Sequence, residues 1–166
     1  MRLDVKKMTT LAVSVSLAMI LSFVESQIPP LVAVPGVKIG LSNIVSVFLL
    51  YTLGAPSAVI VTLIRVFLSS LLFANAVSLW YSLSGAVLSL AVMMIAKRID
   101  LFSHIGVSIL GGVFHNIGQT LAAMLIMESA ALAVYIPPLL ISGLVAGIIV
   151  GVIAGILVSK LKKHLH

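Results

Sequence analysis

Six apolar stretches follow one another along the chain, separated by short polar or Pro/Gly-rich segments, at about 8–28, 41–53, 56–73, 77–96, 103–127 and 137–159. An apolar run of about 20 residues is long enough to cross a bilayer as a helix, although the second run is short for a crossing. Of the 166 residues, 61% are hydrophobic and 8% are charged, too little polar surface for a soluble fold. The sequence therefore predicts one all-α membrane domain, residues 1–166, with six transmembrane helices.

The basic residues predict how this bundle is oriented. Three precede span one, two lie between spans four and five, and three follow span six, whereas Lys38 lies in the opposite loop and Arg65 within span three. Loops rich in Lys and Arg remain in the cytoplasm, so both termini are expected there. Trp80, Tyr81 and Tyr135 fall near the outer ends of their spans, where interfacial aromatic residues are common. The net charge of +6 thus indicates topology, and no nucleic-acid partner is expected.

Small residues recur at four-residue intervals in spans one and six. In span six they are Gly143, Gly147, Gly151 and Gly155. Glycines on one helix face allow close packing against a neighbouring helix, and such a surface would also let a neighbour slide. In span one the small residues are Ala12, Ser14, Ser16 and Ala18, which suit contact with another helix of this chain or of a partner.

Charged residues inside spans one and three need a partner or a function, because charge is costly in hydrocarbon. Glu25 lies near the outer end of span one on the same face as Ser14 and Ala18, so it should face the bundle unless it is hydrated at the interface. Arg65 lies about 13 Å into span three by helical rise. Two interpretations remain open for Arg65: a structural ion pair, with Glu25 as a candidate partner, or a ligand-binding role.

Span five carries the densest polar cluster, His115, Asn116 and Gln119, next to Gly111 and Gly112. Small residues beside polar ones are typical of a cavity wall, although interhelical hydrogen bonding would require the same residue types. Asn43 extends the polar set into span two. A metal site is not expected, because the other three histidines lie elsewhere in the chain.

Sequence motifs typical of catalysis and of nucleotide binding are missing. The two aspartates, Asp4 and Asp100, lie near cytoplasmic ends, so no aspartate pair is placed to hold magnesium for diphosphate chemistry. There is no cysteine, no Gly-rich phosphate loop and no serine in a nucleophile elbow. The expectation is therefore a non-enzymatic protein without a cofactor, which would need separate subunits for any transport driven by ATP.

Two segments, Pro35–Asn43 and His115–Gln119, resemble the signature stretches of the Gx transporter family, often labelled heptaprenyl diphosphate synthase component I. That family resembles the substrate-binding S components of energy-coupling-factor (ECF) transporters. The resemblance, which extends across essentially the whole chain, implies a six-helix prokaryotic plasma-membrane protein that captures a small solute from outside. It also implies a transmembrane coupling subunit and two cytoplasmic ATPases as partners, with the coupling subunit contacting the small residues of span one.

The leading interpretation is thus an S-component-like subunit of an importer, and the alternative is a non-catalytic membrane partner of a polyprenyl diphosphate synthase or quinone-precursor pathway. Lys38, Arg65 and His115 would give the site a cationic excess over Glu25. An anionic or amphipathic ligand, such as a phosphorylated isoprenoid or an aromatic acid, would relieve that excess. The amides that would orient its polar parts are those of Asn43, Asn116 and Gln119.

Overall fold

A computed structural model describes residues 5–27, 40–73 and 76–165, with side chains as far as Leu161. Over these residues the protein is helical and contains no strand, so the all-α prediction is confirmed. The α-helices are α1 (Val5–Gln27), α2 (Asn43–Thr52), α3 (Ala55–Phe73), α4 (Ala76–Ile99), α5 (His104–Ile126) and α6 (Ile136–Leu165). A short 3₁₀ helix, Ala130–Tyr135, precedes α6.

Five of these helices, all except α2, are long and apolar enough to cross a membrane. α2 has 10 residues, which corresponds to about 15 Å, or half of a hydrocarbon core about 30 Å thick. Where the sequence predicted a crossing at 41–53, α2 by itself therefore reaches only about halfway. Seven of its residues are buried, so the neighbouring helices enclose it.

Several helix boundaries differ from the predicted spans. α4 continues past residue 96 to Ile99 and includes Lys97 and Arg98, and α6 continues past residue 159 to Leu165. The 3₁₀ helix was not predicted. Lys and Arg are good helix formers, so the charged clusters mark the expected membrane border without ending the helix. By contrast, α5 begins one residue later than its predicted span, because Ser103 acts as the N-cap and its hydroxyl accepts a hydrogen bond from Gly106 N–H.

Five helices form a ring in the order α2, α3, α4, α5 and α6, with α6 packing back against α2. α1 lies outside this ring against α3 and makes only slight contact with α2. Its side chains at Ser14, Ala18 and Glu25 are buried, whereas large apolar side chains such as Leu17 and Phe23 are exposed. α1 is therefore the helix that the rest of the bundle covers least.

Apart from Arg65, the Lys and Arg side chains that the structure describes lie at one end of the bundle, called here the basic end. The C-terminus of α2 meets the α4–α5 connection there, since Lys97 donates a hydrogen bond to the Leu50 carbonyl and the Tyr51 and His104 rings lie 4.2 Å apart. At the other end, the Phe23 and Phe73 rings are 5.4 Å apart, so α1 and α3 run in the same direction. The described Lys and Arg side chains at the basic end are Lys6, Lys7, Lys97, Arg98 and Lys160.

The glycines of α6 lie against the backbone of α5. A Cβ atom built on Gly147 would come within 2.5 Å of the Ile109 Cα, and one on Gly151 within 2.7 Å of the Ile105 Cα. Gly143 similarly faces Gly112. Gly155 is looser, because its Cβ would meet nothing nearer than the His104 Cβ at 3.9 Å. Three of the four glycines thus hold α6 in backbone contact with α5.

Candidate functional site

Two small cavities lie inside the bundle on either side of a charged cluster. Each has a volume of about 40 Å³, roughly the space of one water molecule. Glu25, Arg65 and His115 line both cavities. The first cavity extends among α2, α4, α5 and α6, and the second extends among α1, α3, α4 and α5.

Arg65 connects the middle of α3 to the start of α2. Its Nη1 atom donates to the Ser42 hydroxyl at 2.5 Å, and its Nη2 atom donates to Asn43 Oδ1 over 3.4 Å. The side chain is only 9% exposed, although it lies about 15 Å along an apolar helix. Arg65 is therefore a deeply buried cation with two donor groups directed at the segment that enters α2.

Glu25 binds a second part of the segment that enters α2. Its Oε1 atom accepts a hydrogen bond from the backbone N–H of Gly40, whose φ of +76° is a conformation that glycine adopts readily. The Gly40 and Leu41 carbonyls accept from the N–H groups of Asn43 and Ile44. Non-helical backbone at membrane depth needs such partners. Glu25 also interacts electrostatically with Arg65, so the two charges stabilise this entry together.

α5 supplies the opposite wall. His115 lines both cavities, and Gln119 lines the second. Asn116 lines the first cavity, but its Nδ2 atom donates to the Leu139 carbonyl of α6 at 2.7 Å, so its amide also serves interhelical hydrogen bonding. Both interpretations of the α5 cluster therefore apply: His115, Asn116 and Gln119 each line a cavity, and Asn116 in addition joins two helices.

Three buried polar atoms beside the cavities have no hydrogen-bond partner within the described residues. They are Arg65 Nε, Ser22 Oγ and Ser108 Oγ. Ser108 lines the first cavity, Ser22 lines the second, and Arg65 lines both. An unsatisfied buried polar group costs about 1–3 kcal/mol. A water molecule or a polar ligand group inside the cavities would satisfy these atoms.

The structure brings six of the seven candidate ligand-binding residues around the two cavities, and the seventh, Lys38, falls outside the described residues. The six are Glu25, Asn43, Arg65, His115, Asn116 and Gln119. Ser42, Ser89 and Ser108 also line the first cavity, although the sequence did not predict them as site residues. Ser108 lies two helical turns before His115, so extending the α5 stripe backwards would have found it. Ser42 and Ser89 gave no comparable signal, because serine is common in the other spans.

The small residues of α1 divide between two faces. Ser14 and Ala18 are buried against the bundle, whereas Ala12 and Ser16 are exposed. The Ser16 hydroxyl donates to the Ala12 carbonyl within the helix, which satisfies it on an exposed face. Ser14 and Ala18 therefore pack against the rest of this chain. Ala12 and Ser16 leave a strip of small side chains on the outer face of α1.

Within the part of the chain that the structure describes, no three His, Asp or Glu side chains are grouped as metal ligands would be. The polar cluster consists of one guanidinium, one carboxylate, one imidazole, amides and hydroxyls. These groups can bind an anion and orient hydrogen-bonding parts of a ligand.

Comparison with known proteins gives one match. A protein-family model described as heptaprenyl diphosphate synthase component I matches residues 14–157. No curated protein and no solved structure is significantly similar to the chain. The match covers α2 to α5 entirely, most of α1 and most of α6, including every residue placed around the two cavities. The protein therefore belongs to the heptaprenyl diphosphate synthase component I family.

Proposed function

We propose that this protein is the substrate-capture subunit of a membrane importer and that its solute is an anion or an amphiphile with an anionic head. The observation that carries the proposal is the position of Arg65, a cation 9% exposed in the middle of an apolar helix and bordered by two cavities. Intramembrane charges of this kind typically mark a substrate or ion pathway.

The electrostatics of the site favour an anion. Arg65 lies beside the N-terminus of α2, and the helix macrodipole makes that end positive as well. The Ser42 hydroxyl accepts from Arg65 and makes no N-terminal capping hydrogen bond, so it does not satisfy an N–H group of the first turn of α2. Glu25 balances one charge and His115 adds a basic group. A phosphate or carboxylate would compensate both Arg65 and the helix end.

The size of the cavities implies movement on binding. A volume of about 40 Å³ admits a water molecule but not a phosphorylated or aromatic ligand. The surrounding helices must therefore separate when a ligand enters. Such ligand-stabilised opening selects a less populated conformation of the free protein.

The proposed importer function implies an orientation in the membrane and a set of partner subunits. The described basic side chains other than Arg65 gather at one end of the bundle, so by the positive-inside rule that end is cytoplasmic. The candidate site then lies nearer the outer half, where a solute from outside would arrive. Six crossings, cytoplasmic termini, a transmembrane coupling subunit and two cytoplasmic ATPases complete the proposal, in which this subunit binds its ligand and performs no catalysis.

The proposal is tested by binding of octyl phosphate to the purified full-length protein in nanodiscs, with octanol as the neutral comparison. Arg65→Lys should weaken octyl phosphate binding about tenfold, because the charge remains but the paired hydrogen bonds are lost. Arg65→Gln should weaken it further. Arg98→Gln changes an exposed arginine at the basic end and should leave binding unchanged. Equal binding of octyl phosphate and octanol, or binding that does not depend on Arg65, contradicts the proposal.

The family description favours a second candidate, a non-catalytic membrane partner of a polyprenyl diphosphate synthase. Purification of a tagged full-length chain from native membranes separates the two. Co-purifying ATPases and a coupling subunit support the importer, and a co-purifying soluble prenyl synthase supports the second candidate.

A further inference from the structure

An apolar groove lies on the outer face of the α4–α5 pair, opposite the charged cluster. Its volume of about 620 Å³ falls within the range of small-molecule sites, roughly 300–1,000 Å³. The lining side chains include Val77, Trp80, Leu88, Leu121 and Leu125. Most of these are substantially exposed on the bundle surface, so in a membrane the groove opens towards lipid.

Only a thin wall separates this groove from the second cavity. Gly118, which lines the groove, lies against Gly85: a Cβ atom built on Gly118 would come within 2.9 Å of the Gly85 Cα. Gly85 also faces His115 and Gln119, since a built Cβ would come within 2.7 Å of both the Gln119 Cγ and the His115 carbonyl oxygen. The wall at this level therefore consists of the Gly85 and Gly118 backbones, the His115 carbonyl and the flexible side chain of Gln119.

We infer that the groove holds the hydrocarbon chain of the same ligand whose acidic head binds at Arg65. The inference rests on the proposed function and extends it, because it assigns the ligand to amphiphiles that enter sideways from the membrane between α4 and α5. Rotation of the Gln119 side chain, with a small separation of the helices at Gly85 and Gly118, opens the route for the head group.

The free energies of transfer agree with a ligand whose chain lies in the groove and whose head lies at Arg65. A chain moving from bilayer to groove exchanges one apolar environment for another, so it neither gains nor loses much free energy. The head leaves the membrane surface and must be compensated, and Arg65 together with the unsatisfied Ser22 hydroxyl can do so. Head recognition therefore gives affinity, and the groove decides which tails are accepted.

Photo-crosslinking tests both ends of the ligand in one experiment. The probe is dodecyl phosphate with a diazirine at the end of its chain, and the neutral comparison is the matching dodecanol. Both are presented to the full-length protein in nanodiscs, and labelled peptides are identified by mass spectrometry. The phosphate probe should label the α4 and α5 residues of the groove, and labelling should fall about tenfold in Arg65→Gln, which loses the charge that holds the head.

A second variant tests the groove itself by adding bulk there and leaves Arg65 unchanged. Leu121→Trp places a larger side chain in the groove and should lower phosphate-probe labelling and binding about tenfold. Leu144→Trp is the matched control on α6, because Leu144 is 45% exposed and Leu121 is 47% exposed. Octyl phosphate, whose chain is shorter, should lose less affinity in Leu121→Trp than dodecyl phosphate.

The possible outcomes separate this inference from the function on which it rests. Groove labelling that is equal for both probes and unaffected by Arg65 means that ordinary lipid occupies the groove, and it overturns the inference. Arg65-dependent binding with labelling outside the groove also overturns it but leaves the proposed function standing. If phosphate binding is independent of Arg65 in every assay, the proposed function itself fails.

Discussion

The Nη1 atom of Arg65 lies 2.5 Å from the Ser42 hydroxyl oxygen, and this hydrogen bond joins the middle of α3 to the residue that precedes α2. The same guanidinium leaves its Nε without a partner among the described residues, next to both cavities. Arg65 thus has one part that supports the fold and one part available to a ligand. Variants that remove one part at a time distinguish the two roles.

Ser42→Ala removes the acceptor of Arg65 and leaves the cation in place. We expect the free energy of unfolding to fall by about 1–3 kcal/mol, because a buried charged donor loses its partner. Octyl phosphate binding should be unchanged or stronger, since another donor of Arg65 becomes available. Thermal unfolding in detergent and titration in nanodiscs measure the two effects. Ser159→Ala, at an exposed serine of α6, should change neither quantity. A parallel loss of stability and binding in Ser42→Ala would mean that the guanidinium acts only through the fold.

Glu25→Ala removes the acceptor for the Gly40 N–H and should destabilise the protein by about 1–3 kcal/mol. Glu25→Gln keeps a carbonyl oxygen at the same distance along the side chain and should retain much of that stability. It also removes the negative charge beside Arg65 and should therefore strengthen binding of octyl phosphate. The measurements are Tm in detergent and titration in nanodiscs, with Glu128→Gln as an exposed control. Equal Tm values for Glu25→Ala and the unaltered chain would show that the Gly40 contact adds nothing to stability.

Gly147→Ala should lower Tm, because the added methyl group meets the Ile109 backbone, which cannot give way as a side chain can. Overpacking of this kind costs about 1–3 kcal/mol. Gly155→Ala is the matched control in the same helix, since its Cβ would make only an ordinary contact at 3.9 Å. This control should be neutral or stabilising by up to about 1 kcal/mol from helix propensity alone. If Gly147→Ala and Gly155→Ala have the same Tm, α5 and α6 are not held by backbone contact.

Single cysteines report topology without background, because the chain contains no cysteine of its own. One cysteine replaces Arg98 at the basic end, and the other replaces Val134 in the 3₁₀ helix at the other end. Both positions are exposed. In intact cells a membrane-impermeant maleimide should label Val134→Cys and should reach Arg98→Cys only after lysis. Labelling of both positions in intact cells would contradict the proposed orientation.

The sequence was informative where one physical effect dominates. Apolar length predicts helices and their approximate positions, and the glycine spacing in α6 predicts close packing because glycine lets two backbones approach most closely. The intramembrane polar residues Glu25, Arg65 and His115 could be selected by their cost in hydrocarbon. Their convergence around two cavities could not be predicted, because it depends on how the ring of helices closes.

The halfway helix α2 is the main feature that periodicity could not predict. Its apolar run, although short, was predicted to cross the membrane, yet Leu41 and Ser42 belong to a turn, and the helix begins only at Asn43. The turn is stabilised by Glu25 and Arg65, which lie far away in sequence. For the same reason Ser42 was missed: its hydroxyl matters only because α3 brings a guanidinium to it.

The backbone contacts of α5 divide the bundle into a stiff side and a compliant side. α5 touches α6 in backbone contact at Gly143, Gly147 and Gly151, whereas it touches α4 in backbone contact at Gly118 and against the flexible Met93 side chain at Gly111. α1 buries only three of its described residues. When the site opens, α5 and α6 should therefore move together as one unit that carries His115, while α1 with its Glu25 and the α4–α5 contact at Gly118 are the parts that separate from it. Mutations that alter which ligand is accepted should accordingly act through the chemistry of the α5 wall, and those that alter how fast a ligand enters should act through α1 and through the α4–α5 contact.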